Sequence, residues 1–93
     1  MGNQEKLNPE FDELFEDEIN EQHHLILHND EVNTFDHVID SLIEVCKHEF
    51  EQAEQCALIT HYKGKCDIKA GEFDKLLTMK RRLSSKGLSV TIE

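Results

Sequence analysis

Positive charge is scarce in this chain. Twenty acidic residues face ten lysines and arginines, a formal net charge of −10 at pH 7 over 93 residues. Phosphate recognition needs clustered cations, so a nucleic-acid role is disfavoured. The one basic cluster, Lys80-Arg81-Arg82, is short and falls on a predicted helix. It reads either as a solvated face or as a docking patch for an acidic partner. Long apolar runs are missing too. No stretch of about 18 apolar residues occurs, so no membrane span is expected. Met-Gly-Asn-Gln-Glu-Lys opens the chain without an apolar signal core, so export by that route is not expected. Residue 6 is Lys where N-myristoylation wants Ser or Thr. Cys46, Cys56 and Cys66 make an odd count with no CxxC pair. That usage predicts reduced thiols and a cytoplasmic chain. Zinc wants closely paired ligands, and Cys46-Lys47-His48 is the nearest approach to a pair. Cys46 continues a helical apolar stripe, so a buried thiol is the better reading and no metal or other cofactor is expected.

Proline is nearly absent, and the single one, Pro9, lies in a segment unlike the rest. Residues 1–21 hold eight acids and one lysine. They read as a flexible acidic extension, with residues 22–93 as one small domain. Phe11, Leu14, Phe15 and Ile19 nevertheless recur at helical spacing within it. The segment is therefore either a solubilising tail or one that orders on a partner. A domain of this size buries only about 60–65% of its unfolded surface, so its core is modest.

From His23 the pattern changes. His23 to His28 reads as a short strand with Leu25 and Leu27 on one face. Asn33 is expected to cap a helix, with Thr34 at its first position. Phe35, Val38, Ile39, Leu42, Ile43 and Cys46 follow as one apolar face. A second helix is expected from about Glu49 to Tyr62, stopping near Gly64. Phe50, Ala53 and Ala57 share a face there, with His61 about a turn beyond. Lys65 to Lys69 alternates as a second strand. Glu72 to Lys86 is a third helix, with Phe73, Leu76, Leu77 and Leu83 inward and Gly87 as its stop. Leu88 to Ile92 gives a last strand. The order β-α-α-β-α-β predicts an α+β fold. It is a two-layer α/β sandwich, a three-stranded sheet covered on one face by three helices. The intervening helix favours parallel second and third strands. If the first strand lies between them, it can run antiparallel to both.

One junction is odd for so small a domain. The first strand ends in Asn29-Asp30-Glu31 just before a helix begins. Turn and capping chemistry is one explanation, since a helix N-terminus favours anions. The other is a ligand. An amide oxygen and carboxylates suit a compact cation with several N–H donors, such as an ammonium group, and a neutral His accepts as well. Phe35, Val38 and Ala57 beside them could take an apolar side chain. An ammonium joined to a hydrophobic side chain describes the first residue of a polypeptide.

Two stretches carry a resemblance. Leu25-Ile26-Leu27-His28-Asn29-Asp30-Glu31 runs into the Thr34-to-Leu42 helix. Ala53-Glu54-Gln55 leads to Thr60-His61-Tyr62-Lys63-Gly64-Lys65. Over about residues 24–93 the chain resembles ClpS, the bacterial adaptor that hands substrates to the Clp protease. The resemblance implies a non-enzymatic adaptor for proteins with a free N-terminal Phe, Tyr, Trp or Leu, an N-degron of the N-end rule. It implies a Clp unfoldase N-terminal domain, of ClpA or ClpC type, as partner. Asn29 and His61 would contact the α-amino group, with Asp30 and Glu31 on the acidic positions that hold it. Asn33, Phe35, Val38, Ala57 and Thr60 would form the side-chain pocket. In this family the N-terminal extension engages the unfoldase during hand-off.

The chain departs from the family pattern in places. Glu31 stands where many members have Asp. Asn33-Thr34-Phe35 replaces the usual Thr-Pro-Met, and Ala57 falls where Met is common. The third helix is short, so no unfoldase contacts are assigned to it. Two other classes are distinguishable. An enzyme would use His61 with Asp30 or Glu31, but no motif names a nucleophile or cofactor loop. An assembly module sharing the fold would lack an N-terminus pocket.

Overall fold

The computed structural model describes residues 22–93. The order is β1 (His23–His28), α1 (Phe35–Cys46), α2 (Phe50–Lys63), β2 (Lys65–Gly71), α3 (Phe73–Ser85) and β3 (Ser89–Ile92). The sheet order is β2-β1-β3, with β1 antiparallel to both neighbours. The two outer strands therefore run parallel to each other, as their connection through a helix requires. Leu25 lies opposite Ile92 and Leu27 opposite Val90. Between Leu25 and Ile26 the pairing with β2 jumps from Lys69 to Asp67, so Ile68 is an extra, bulged residue.

The helices cover one face of the sheet. Leu25 and Leu27 point into a core built with Ile39, Leu42, Val45, Cys46, Ala53, Ala57, Ile68, Leu76, Leu83, Leu88 and Val90. Three expected core aromatics stay out of it. Phe35, Phe50 and Phe73 are 41%, 56% and 46% exposed. Each is the first residue of its helix. Side chains lean toward a helix N-terminus, so one at the first position hangs off the end of the cylinder. Periodicity assigns these residues the right face but cannot see that the core layer ends below them.

The start of α1 also differs from expectation. Thr34, not Asn33, is the cap, and its hydroxyl accepts from the His37 N–H at 3.1 Å. The Asn33 side chain is turned elsewhere, its Nδ2 donating to Asp30 and to Gly87 O. The helix ends at Lys47, a left-handed residue (φ 61°) whose N–H bonds Leu42 O. No basic residue lies in its last turn. Lys69 supplies the cation from β2, donating to Cys46 O at 3.2 Å.

Two glycine turns set the site's walls. Gly64 (φ 95°) ends α2, donating to Thr60 O at 2.9 Å. Its carbonyl then accepts from the Asn29 N–H, also at 2.9 Å. That bond pins the end of β1 to the end of α2. Gly87 (φ 91°) ends α3 in a Schellman arrangement. Leu88 N–H reaches Leu83 O at 3.1 Å and Gly87 N–H reaches Ser84 O at 2.9 Å. Leu83 and Leu88 are both buried beneath the turn.

Candidate functional site

Where β1, the start of α1 and the end of α2 meet, a hollow opens. It spans about 420 Å³ counting the open mouth. Apolar groups of Leu27, Val38, Ala57 and Leu88 line it, with Phe35 on the lip. Asn29, Asp30, Asn33, Thr60, His61 and His28 add polar atoms. A second hollow, at Phe73, Leu77, Lys80, Thr91 and Ile92, brings one charged group and no converging acceptors.

The polar residues are unequally committed. Asp30 Oδ1 accepts from Val32 N at 2.9 Å, Asn33 N at 3.0 Å and Asn33 Nδ2 at 3.1 Å. Among the described residues, Oδ2 accepts from Asn33 Nδ2 alone, at 2.9 Å. Burial by itself would push the Asp30 carboxyl up. The hydrogen bonds from Asn33 N, Val32 N and the Asn33 side chain outweigh it and hold the group below its ordinary 3.8. Asp30 is thus an ionised acceptor with one lightly used oxygen. Thr60 spends its hydroxyl on Cys56 O at 2.8 Å, so it offers the hollow mainly its methyl. His28 Nε2 lies 2.8 Å from Thr91 Oγ1. His61 is exposed on the last turn of α2, edge-on to Phe35 (6.2 Å between ring centroids) and to Tyr62 (4.9 Å).

The structure gathers eight of the nine residues singled out in the sequence: Asn29, Asp30, Asn33, Phe35, Val38, Ala57, Thr60 and His61. Glu31 does not line the hollow and is exposed beside it. Sequence reasoning missed Leu27, His28 and Leu88. Leu27 was visible as a strand residue but was assigned only to the core. Leu88 carries no local signal, because only the Gly87 turn brings it across from the third helix.

No activated nucleophile lies here. Cys46, Cys56 and Cys66 do not line the hollow. Burial pushes the Cys46 thiol up to about 11. Burial, with Cys66 alongside, pushes Cys56 to about 12. Burial also raises Cys66. Among the described residues, no three His, Cys, Asp or Glu side chains cluster at metal-binding spacing. The arrangement is that of a binding site: an apolar floor with an amide, a carboxylate and an imidazole at one end.

A family model described as "ATP-dependent Clp protease adaptor protein ClpS" matches residues 18–91. The chain belongs to the ClpS family. No curated protein matches the sequence. Among solved structures, that of Agrobacterium tumefaciens ClpS2 bound to L-phenylalaninamide is similar, with a TM-score of 0.75 at 19% identity. The match covers 77% of this chain and 94% of that one. At that identity the likeness speaks for the fold, and it agrees with the β-α-α-β-α-β sandwich. The ClpS family is one of protease adaptors, and the hollow described above is consistent with such a role.

Proposed function

We propose that this chain binds polypeptides through a free, large hydrophobic N-terminal residue and delivers them to a Clp unfoldase–protease. The observation that carries the reading is the pairing of acceptors with an apolar floor. Asn29, the open oxygen of Asp30 and His61 stand beside Leu27, Val38, Ala57 and Leu88. The ligand of the Agrobacterium protein supports it. L-phenylalaninamide is a free α-amino group, a phenyl ring and an amide, the chemistry of an N-terminal phenylalanine. Leu, Tyr and Trp would present the same handle with a comparable apolar body. Glu31, exposed near the mouth, adds negative field rather than a fixed contact. The partner would be an unfoldase N-terminal domain of ClpA or ClpC type, and the setting the bacterial cytoplasm.

The magnitudes fit a carrier that releases its cargo. Burying a Phe-sized side chain contributes about 1.5–3 kcal/mol. Each charge-assisted hydrogen bond adds about 1.5–3 kcal/mol at best. Association costs several kcal/mol. The cost offsets most of the gain, which suits binding weak enough to be reversed. Acetylating a Phe-initiated peptide removes its charge and two donors while leaving the ring. Fluorescence anisotropy should show at least about tenfold weaker binding. Equal affinity for free and acetylated peptides would overturn the reading.

A further inference from the structure

We propose that Asn33 is a positioning residue for the ammonium site, and that its side-chain amide makes the Lys86–Leu88 turn part of that site. This rests on the function proposed above. The Asn33 Nδ2 group has two hydrogens. One spans the two oxygens of Asp30, at 3.1 and 2.9 Å, and the other reaches Gly87 O at 2.8 Å. The Asn33 backbone N–H adds a third contact to Asp30 Oδ1, at 3.0 Å. With three donors on Oδ1 and one on Oδ2, the second oxygen keeps acceptor capacity for a ligand. The backbone N–H groups of Val32 and Asn33 hold Oδ1, and the Asn33 amide, spanning both oxygens, fixes how the carboxylate is turned.

The same amide holds the opposite wall. Gly87 leads directly to Leu88, which is buried and lines the hollow. His37, one turn along α1, ties the same loop with its Nε2 at 2.8 Å from Lys86 O. One side-chain amide thus bridges the carboxylate that meets the ammonium and the wall that meets the side chain. Few residues can replace it. Alanine donates nothing. A threonine hydroxyl has one hydrogen and serves one of the two acceptors. Aspartate would set a negative charge against both Asp30 and the Gly87 carbonyl. An ammonium drawing on Asp30 Oδ2 pulls on the group that holds Asn33, so filling the site is felt at Gly87.

The test uses the full chain, with L-phenylalaninamide as probe and its N-acetyl form as control. Affinity, the carboxyl titration of Asp30 and the amide shifts of Gly87 and Leu88 are followed by NMR. His28 and His61 are the other titrating groups lining the hollow, and they are followed alongside. In the unaltered chain Asp30 should titrate below 3.8, and the Gly87 and Leu88 amides should shift as the probe binds. Asn33→Ala should raise the Asp30 midpoint, weaken the probe about three- to tenfold and uncouple the two amides. Asn33→Thr, which keeps the side chain's volume and one donor, should preserve either the low Asp30 midpoint or the response of the Gly87 and Leu88 amides and lose the other. Unchanged affinity in Asn33→Ala would overturn the positioning role, whether or not the Asp30 midpoint moves. Failure of the unaltered chain to prefer the free amine would instead overturn the function on which the role rests.

Discussion

His61 carries a distinctive burden for so exposed a residue. Among the described residues it makes no side-chain hydrogen bond, and its ring rests edge-on against Phe35 and Tyr62. Two roles compete for it. As a residue in the last turn of α2 it can stabilise the helix through the dipole when protonated. As a neutral imidazole at the rim it can accept from a ligand ammonium. The two roles separate in one variant. If the second holds, His61→Ala leaves the thermal midpoint within a degree or two and weakens a Phe-initiated peptide roughly three- to tenfold. If only the first holds, stability falls and affinity stays. Melting curves paired with peptide titrations read both. Asp30 shows the complementary case of a residue with two duties at once. Its Oδ1 builds the turn before α1, and its Oδ2, with one donor, keeps acceptor capacity in a residue that lines the hollow. On the proposed function, capping and ligand chemistry, rival explanations of Asn29-Asp30-Glu31, would be divided between the atoms of one carboxylate.

At the scale of elements, helix ends place the site, and their termini differ in quality. Gly64 and Gly87 occupy left-handed backbone where a side chain is disfavoured. Lys47 occupies similar backbone at the end of α1 with a full side chain. That conformation costs a non-glycine residue about 1–2 kcal/mol. Glycine there would relieve the cost but enlarge the unfolded ensemble by about 0.5–1 kcal/mol. Lys47→Gly is therefore expected to stabilise the protein by roughly 0.5–1 kcal/mol, the balance of those two effects. Gly64→Ala should do the reverse by about 1 kcal/mol, although no atom lies within 4 Å of the added methyl. Urea unfolding of both variants checks the pair, and a destabilised Lys47→Gly would contradict the account. The glycine stops at 64 and 87 were legible because glycine announces such backbone. Lys47 was not, because nothing in its type does so. The cap of α1 was misplaced by one residue for a related reason. Asn33 has the right chemistry for a cap, and only the folded turn reveals that Asp30 and Gly87 already hold it.

For the whole molecule, strand alternation and helical periodicity were enough to reach the sheet and its covering helices, and left the central, antiparallel β1 as a conditional arrangement. A three-stranded sheet with one apolar face has few other solutions. Most of the site was legible as well, since Asn29, Asp30 and His61 stand in two compact stretches. What escaped was the convergence that long-range bonds produce. Asn29 meets the end of α2 through Gly64, and Leu88 arrives beneath Gly87. Among the described residues, the core and the lining of the hollow begin at Leu25. Residues 1–21 lie outside the described part, so their expectation stands on composition alone: eight acids, one lysine, Pro9 and four spaced apolar residues. Too few apolar groups occur there to add to a core. An unfoldase pore admits an unstructured chain sooner than a folded domain, and Phe11, Leu14, Phe15 and Ile19 would give pore loops something to grip. Deleting residues 1–20 should therefore leave affinity for a Phe-initiated peptide within about twofold, well under the loss of one hydrogen bond. The same deletion should slow delivery of a Phe-initiated model substrate to a Clp unfoldase–protease, measured as the rate of its degradation. Delivery at the full-length rate would reduce the segment to a solubilising extension. Loss of peptide affinity would mean instead that these residues belong to the binding site.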